Sequence, residues 1–518
     1  LKIVRLKLNS DYAIGTKADL RQYVAPLYKN NLNYYCYTIT TKSLLLLYSG
    51  VDIELDPLLL SRIQFAFVVC FHAIFPVFTI GLASFIAVLE ALSFKTGNPL
   101  WQKLSKFWIQ VFAVVFGMGV VSGIVMSFQF GTNWSNFSYA TANFLGPVLS
   151  YEVITAFFLE AAFLGVLLFG RDKVPQGVHL FAAIMVALGT FISSFWILSA
   201  NSLMQTPDGL ELRNGMYHVV SWADALFTAS FAYRFIHMAL ASFLTAALVV
   251  AGVSAWFILQ KREFATNRKA LSIALWMLLI LAPLQVVVGD FHGLNTLKHQ
   301  PMKVAAMEGN WQTAEGVPLI LFAIPDQQAQ TNHFELSVPK LASYILTHDW
   351  DGEVPGLNEV APEMQPPVFI VFWSFRIMVA MGLLMVVFAI WGLLLRYKGK
   401  YQHSRSFLQG LRLMSLSPFI AVLAGWVVTE SGRAPWLIYE KMTHAEGLTP
   451  SLTGGMALFT LIGYIVVYAL VFSAGVYYLL KVFRGGIEKA NQPHEQQEFE
   501  RPKRPFSAAH ASLEEGDN

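Results

Sequence analysis

Nine stretches of mainly apolar residues, each about twenty residues or longer, punctuate this chain near 61–92, 106–128, 148–169, 177–200, 231–259, 270–288, 368–395, 411–428 and 454–483. Runs of that length cross the hydrocarbon core of a bilayer as helices, because lipid offers no partner to an unpaired backbone amide. The expected fold class is therefore an all-α integral membrane protein with about nine transmembrane helices. Composition agrees: 55% of the 518 residues are hydrophobic and 13% charged, where a soluble domain carries about a quarter charged. The net charge of +3 does not imply nucleic acid, since the basic residues sit in short loops between apolar runs, where they orient a membrane protein.

Those loops alternate. Lys95 and Lys103, Arg171 and Lys173, Lys261, Arg262, Arg268 and Lys269, and Arg396, Lys398, Lys400 and Arg405 occupy one set, while 129–147 holds no Lys or Arg. The basic set is expected to be cytoplasmic, with the N-terminus outside and the C-terminus in the cytoplasm. The connection 289–367, between the sixth and seventh spans, is then extracytoplasmic, and loops of that length are usually functional or disordered. Trp311, Phe322, Pro325 and Phe334 argue for order. The chain divides into an extension (1–54), a transmembrane domain (55–484) containing the outer loop, and a polar tail (485–518) expected to be disordered. It opens with Leu, and Val51 precedes the first span, so translation is expected to start near Val51. Peptides from residues 1–50 in a mass spectrum would sink that expectation. Cys36 and Cys70 are the two cysteines, and no C-x-x-C-H stretch exists. A disulfide framework and covalently attached haem are both excluded.

Ionisable groups at membrane depth are functional candidates by default. His72 lies in the first span, Glu152 and Glu160 in the third, Arg234 and His237 open the fifth, Arg376 and Met378 the seventh, and Glu430 and Arg433 close the eighth. A six-coordinate haem takes two axial ligands from opposite faces, and a His/Met pair raises its potential. His237 and Met378 lie at similar depth on different spans. By themselves these residues leave other readings open. Met378 fits core packing, Arg376 an interfacial anchor, Glu430 and Arg433 an i, i+3 ion pair, and Lys303 and Glu308 a solvated face. Glu152 and Glu160, eight residues apart, suit a proton relay, or a ligand plus a relay group. A haem b reductase or a carboxylate-coupled transporter would use the same groups.

Read as words, the chain resembles subunit I of the cytochrome bd family of quinol-oxidising terminal oxidases. The resemblance covers roughly Asp56 to Arg484. It rests on SRIQFAF (61–67), FQFGTNWS (128–135), YEVITAFFLEA (151–161), FWILSANSLMQTP (195–207), FIH (235–237), VVVGD (286–290), KVAAMEGNW (303–311), FAIPDQ (322–327), FRIMVAMG (375–382) and GWVVTESGRAPW (425–436). It implies that His237 and Met378 ligate a low-spin haem b, with Arg376, Arg433 and Trp426 lining haem. His72 and Glu430 would ligate two high-spin haems, one haem b and the other haem d or a further haem b. Glu152 would act at the oxygen-reducing haem, Glu160 in proton delivery, and Lys303 and Glu308 in quinol binding and deprotonation. It also implies a second subunit, a small accessory membrane subunit, ubiquinol or menaquinol, O2 as acceptor, and a bacterial inner membrane. The passage from LASYILTHDWDGEVPGLNEVAPEMQPP into the seventh span is similar to the short-loop branch, which includes cyanide-insensitive enzymes.

Overall fold

The computed structural model describes residues 4–6 and 53–492. Apart from a strand at Val4–Leu6 paired antiparallel with Ile53–Leu55, the extension lies outside the described residues, and so do the start-site expectation and the tail from 493. Among the described residues, nine helices are long and apolar enough to span a membrane: Pro57–Thr96, Pro99–Thr132, Ser135–Phe169, Gln176–Gln205, Trp222–Leu259, Phe264–His299, Pro362–Tyr397, Arg405–Ser431 and Gly454–Ala490. Each contains or overlaps one expected span.

Their ends follow local chemistry. Asp56 accepts the Leu58 amide at 2.8 Å with Pro57 in the first turn. Gly97, at φ 62°, closes the first span in the left-handed conformation, and Asn98 caps the second through the Leu100 amide at 2.9 Å. The TGNP stretch thus stops one helix and starts the next.

Helices run further than apolar runs suggest. The expected loop 129–147 is mostly helix, with Asn133 and Trp134 alone separating the second and third spans. Phe137, Ala140, Phe144 and Val148 bury a stripe, together with Trp134, against Tyr217, Ala225 and Leu437 of the outer connections; protein rather than lipid covers it. The sixth span continues through a polar stretch to His299, so the outer loop begins about ten residues later than expected. Asn295 there donates to the Ala229 carbonyl at 3.1 Å. The ninth span passes the expected boundary at Arg484 and continues to Ala490 across a kink at Gly486. Arg262 binds the Arg484 and Gly485 carbonyls and Glu263 accepts the Glu488 amide, tying that end to the fifth–sixth connection.

The fifth span is the most enclosed, and the third and seventh are the most open. A Cβ on Gly81 would lie 2.2 Å from the Ser242 carbonyl oxygen, so only glycine lets the first and fifth spans cross this closely. The outer loop is ordered: a short helix Pro301–Glu308, a hairpin of Leu319–Asp326 and Thr331–Val338, a helix Leu341–Thr347, and turns leading into the seventh span.

Candidate active site

Helix ends bring one carboxylate among three cations at the end of the bundle that carries the long loop between the sixth and seventh spans. Arg433, 3% exposed, donates to Glu430 Oε2 at 2.5 Å. Asn201 donates to Glu430 Oε1 at 2.9 Å and accepts from Arg234 Nη1 at 3.5 Å. Gln205 links the group to the outer loop: its amide nitrogen reaches Glu430 at 3.5 Å, while its oxygen accepts Lys303 Nζ at 2.6 Å. Lys303 also donates to Gln300 at 2.5 Å. Burial, then Arg234 and Arg433, hold the Lys303 ammonium well below its usual range, with Glu430 opposing. Burial likewise lowers the Arg433 guanidinium. Arg433 Nε and Nη1 are buried with no protein partner. A cation-rich pocket with idle donors is costly until an anion enters, so these residues fit a haem propionate.

Glu308 lies elsewhere. It is 7% exposed and takes Arg376 Nη2 at 2.9 Å. Arg376 also binds the Ile320 and Met307 carbonyls and sits 3.9 Å over the Phe372 ring. The short helix Pro301–Glu308 turns Lys303 towards Glu430 and Glu308 towards Arg376, so the two do not converge. Arg376, expected at haem, uses all three guanidinium nitrogens on Glu308 and backbone carbonyls; the idle guanidinium donors belong to Arg433. Neither Lys303 nor Glu308 lies on a solvated face.

The iron-ligating candidates stand in spaces cleared by glycine. A Cβ on Gly289 would lie 3.3 Å from His237 Cε1, one on Gly123 3.1 Å from His72 Cε1, and one on Gly425 3.1 Å from the Met378 sulfur. His237 Nε2 meets Gln285 at 3.1 Å, and its Nδ1 is buried and unpartnered. Ser122 donates to the Gly119 carbonyl, so its oxygen accepts from His72 Nδ1 at 2.8 Å. That tautomer leaves the Nε2 lone pair for a metal. Trp426 is half-buried, one turn before Glu430 and on the same face. Among the described residues no three His, Cys, Asp or Glu side chains converge as a metal cage would. Single ligands from separate helices suit a macrocycle better.

Glu152 and Glu160 are brought onto one face by a π-helical turn, Val153–Phe157. Eight α-helical steps would leave them about 80° apart, and absorbing one residue in the wide turn leaves about 20°. Both meet the fourth span: Ser193 donates to Glu152 at 2.8 Å, and a Cβ on Gly189 would lie 2.5 Å from Glu160 Cγ.

Asn201, Gln205, Gln300, Gln285 and Ser122 escaped the sequence reading. Asn201 and Gln205, at i and i+4 on an apolar helix, were the available signal. Glu90 escaped too, although it lies in an apolar run; it is buried with Arg171, Ser105 and His179, the last at 3.1 Å.

Residues 60–487 match the family model for cytochrome bd terminal oxidase subunit I. The chain is 34% identical to cytochrome bd ubiquinol oxidase subunit 1 of Bacillus subtilis (strain 168), covering 84% of this chain and 96% of that protein. It is 32% identical to cytochrome bd-II ubiquinol oxidase subunit 1 of Escherichia coli (strain K12), covering 85% and 99%. The solved bd oxidase of Geobacillus thermodenitrificans superposes with a TM-score of 0.76 at 29% identity, over 83% of this chain and 99% of that one. The chain therefore belongs to the cytochrome bd terminal oxidase subunit I family.

Proposed function

We propose that this chain is the haem-bearing catalytic subunit, in which quinol gives its protons outside and oxygen takes its protons from inside. His237 and Met378 would hold a low-spin haem b. His72 and Glu430 would hold two high-spin haems, one haem b and the other haem d or b, with Arg433 on a propionate. Such haems supply one-electron transfer and, where an axial position is open, oxygen binding. The observation carrying the reading is on the seventh span. Arg376, which holds Glu308, and Met378 are two residues apart, about 3 Å along the axis. The proton acceptor and the ligand proposed for the electron acceptor thus stand at one depth of the same helix, on different faces of it, which supports quinol oxidation at that level.

Glu308, held as an ion pair, receives a quinol proton and releases it to the outer face. Lys303 orients the Gln205 bridge to Glu430. Glu160 hands protons towards Glu152 from the cytoplasmic side. Each quinol loses two protons and two electrons, and two quinols reduce one O2 to two waters, so charge separation needs no pump. The donor would be ubiquinol or menaquinol, and the partners subunit II and a small accessory subunit. The membrane would be the bacterial inner one, with the C-terminus cytoplasmic. The ordered outer loop, entering the seventh span without an inserted domain, supports the short-loop, cyanide-insensitive-like branch.

Two variants test this. Glu308→Ala should lower quinol-driven turnover by about 10²-fold or more, the usual worth of a general base, while artificial one-electron donors still reduce the haems. Glu160→Leu should let quinol fill the haems and then stall oxygen consumption. Stopped-flow reduction and oxygen-electrode turnover read both. Parental turnover by Glu308→Ala, or by Glu160→Leu, would remove the corresponding role.

A further inference from the structure

The outer-loop hairpin, Leu319–Asp326 with Thr331–Val338, turns large apolar side chains away from the protein. Leu321, Phe322, Ile324, Phe334, Leu336 and Val338 are all exposed, Phe334 at 80% and Leu336 at 61%. The backbone maintains this exposure. Pairing Ile320 with Ser337 and Phe322 with Leu336 leaves Leu321 as an extra residue on one strand; pairing Ile324 with His333 leaves Phe334 and Glu335 bulged on the other. Bulges re-aim side chains. Phe334 sits at φ 55°, a conformation bulky residues rarely adopt. The opposite face is filled, since Ile320 and Ala323 pack on Phe372.

The seventh span gives the hairpin's depth. Gln327, at the turn, accepts the Val368 amide at 2.9 Å, and Phe322 meets Trp373 edge-on with centroids 5.2 Å apart. The Ile320 carbonyl accepts from Arg376 at 2.6 and 3.0 Å. The strand therefore descends alongside the helix from Val368 to Arg376, about 12 Å. Arg376 and Arg396 are twenty residues apart, about 30 Å of helix and the thickness of the hydrocarbon core. With Arg396 at one boundary Arg376 lies at the other, which places the hairpin in the headgroup layer. Its chemistry is graded accordingly. Asp326 and His333 lie at the watery turn, level with exposed Phe369 and Ile370 of the span, and the apolar side chains lie below it, with exposed Glu335 between Phe334 and Leu336. Lys340, paired with Asp351 beyond Val338, also suits a polar headgroup layer.

We infer that this hairpin is a membrane-interface anchor whose bulged apolar edge enters the lipid leaflet on the side of the outer loop. Its occupant is lipid, and the inference stands apart from the haem and quinol assignments. Aromatic side chains favour this layer, and the edge extends a surface that lipid already covers along the span.

The test uses the intact oxidase complex in phosphatidylethanolamine–phosphatidylglycerol liposomes, with Cys36→Ser and Cys70→Ala as background. A nitroxide is placed at Phe334→Cys, Leu336→Cys or Gln328→Cys. Power-saturation spectroscopy should show dissolved O2 colliding more than a water-soluble nickel chelate at 334 and 336, with the order reversed at 328. Leu336→Cys decides the matter alone if Phe334→Cys is not recovered with its haem spectrum. Free nickel access at 334 and 336 would put the hairpin in water, and exclusion of both reagents would mean that a protein covers it. Either result overturns the proposal.

Discussion

Lys303 shows how one residue's surroundings change its chemistry. In sequence it is a loop lysine five residues before a glutamate; in the fold it is 3% exposed between two amide oxygens and near two arginines. Its folded pKa is lowered, which fixes the sign of its pH effect. Below the lowered value the amine is charged whether folded or unfolded, and the cost of burying it is felt in full. Between that value and the unfolded value of about 10.4, the unfolded chain binds the proton that the folded chain has released, so the cost is relieved as pH rises. Lys303→Met abolishes this gain. The stability of the parent relative to the variant should therefore increase from neutral to alkaline pH, read as thermal midpoints of the purified complex. A difference independent of pH would show that Lys303 keeps its ordinary affinity for protons.

At the scale of elements, a ligand's position is set by the helix it faces. Met378 on the seventh span stands where Gly425 of the eighth leaves room. If Met378 ligates the low-spin haem as proposed, Gly425→Ala should push the thioether aside and change that haem's spectrum without altering Met378 itself. Met378→Leu should give the same change at a stability cost below about 1.5 kcal/mol, since the volume is nearly conserved. Gly382→Ala, on the seventh span with nothing within 4 Å of the added carbon, serves as the control. A parental spectrum in Gly425→Ala would detach Met378 from the haem. The π-helical turn in the third span works similarly, since it rotates Glu160 onto the face that carries Glu152.

Across the whole molecule the question is how far protons and electrons travel. Glu308 stands in the loop between the sixth and seventh spans, whereas Glu160 lies nine residues, about 14 Å, from the end of its span at Phe169, the end proposed to face the cytoplasm. Oxidase in proteoliposomes should release about one proton per electron on the quinol side, as quinol stoichiometry alone requires. Fast pH recording would read it. A larger ratio would require a pump, and a much smaller one would mean that oxygen draws its protons from the quinol side.

Much of this was legible in the chain because lipid is an undemanding reader. The nine spans follow from apolar length alone, since any run of that kind buries its backbone the same way. His237, Glu430 and Glu160 stood out because a polar group at that depth has a cost that needs a reason, whereas Met378 by itself fits core packing and was singled out by its depth beside His237 and by the resemblance. Tertiary packing decided the rest. The helix of 135–147 rests on outer connections remote in sequence, and residues 290–299 stay helical although they are polar. Lys303 and Glu308 share one short helix, yet the direction of its turns sends them to different partners. Arg376 and Arg433 carry the same guanidinium, and only the carbonyls of Met307 and Ile320 settle that Arg376 holds Glu308 while Arg433 keeps donors free for an anion. Which donor meets which acceptor depends on distances across the fold, and no local pattern of residues contains them.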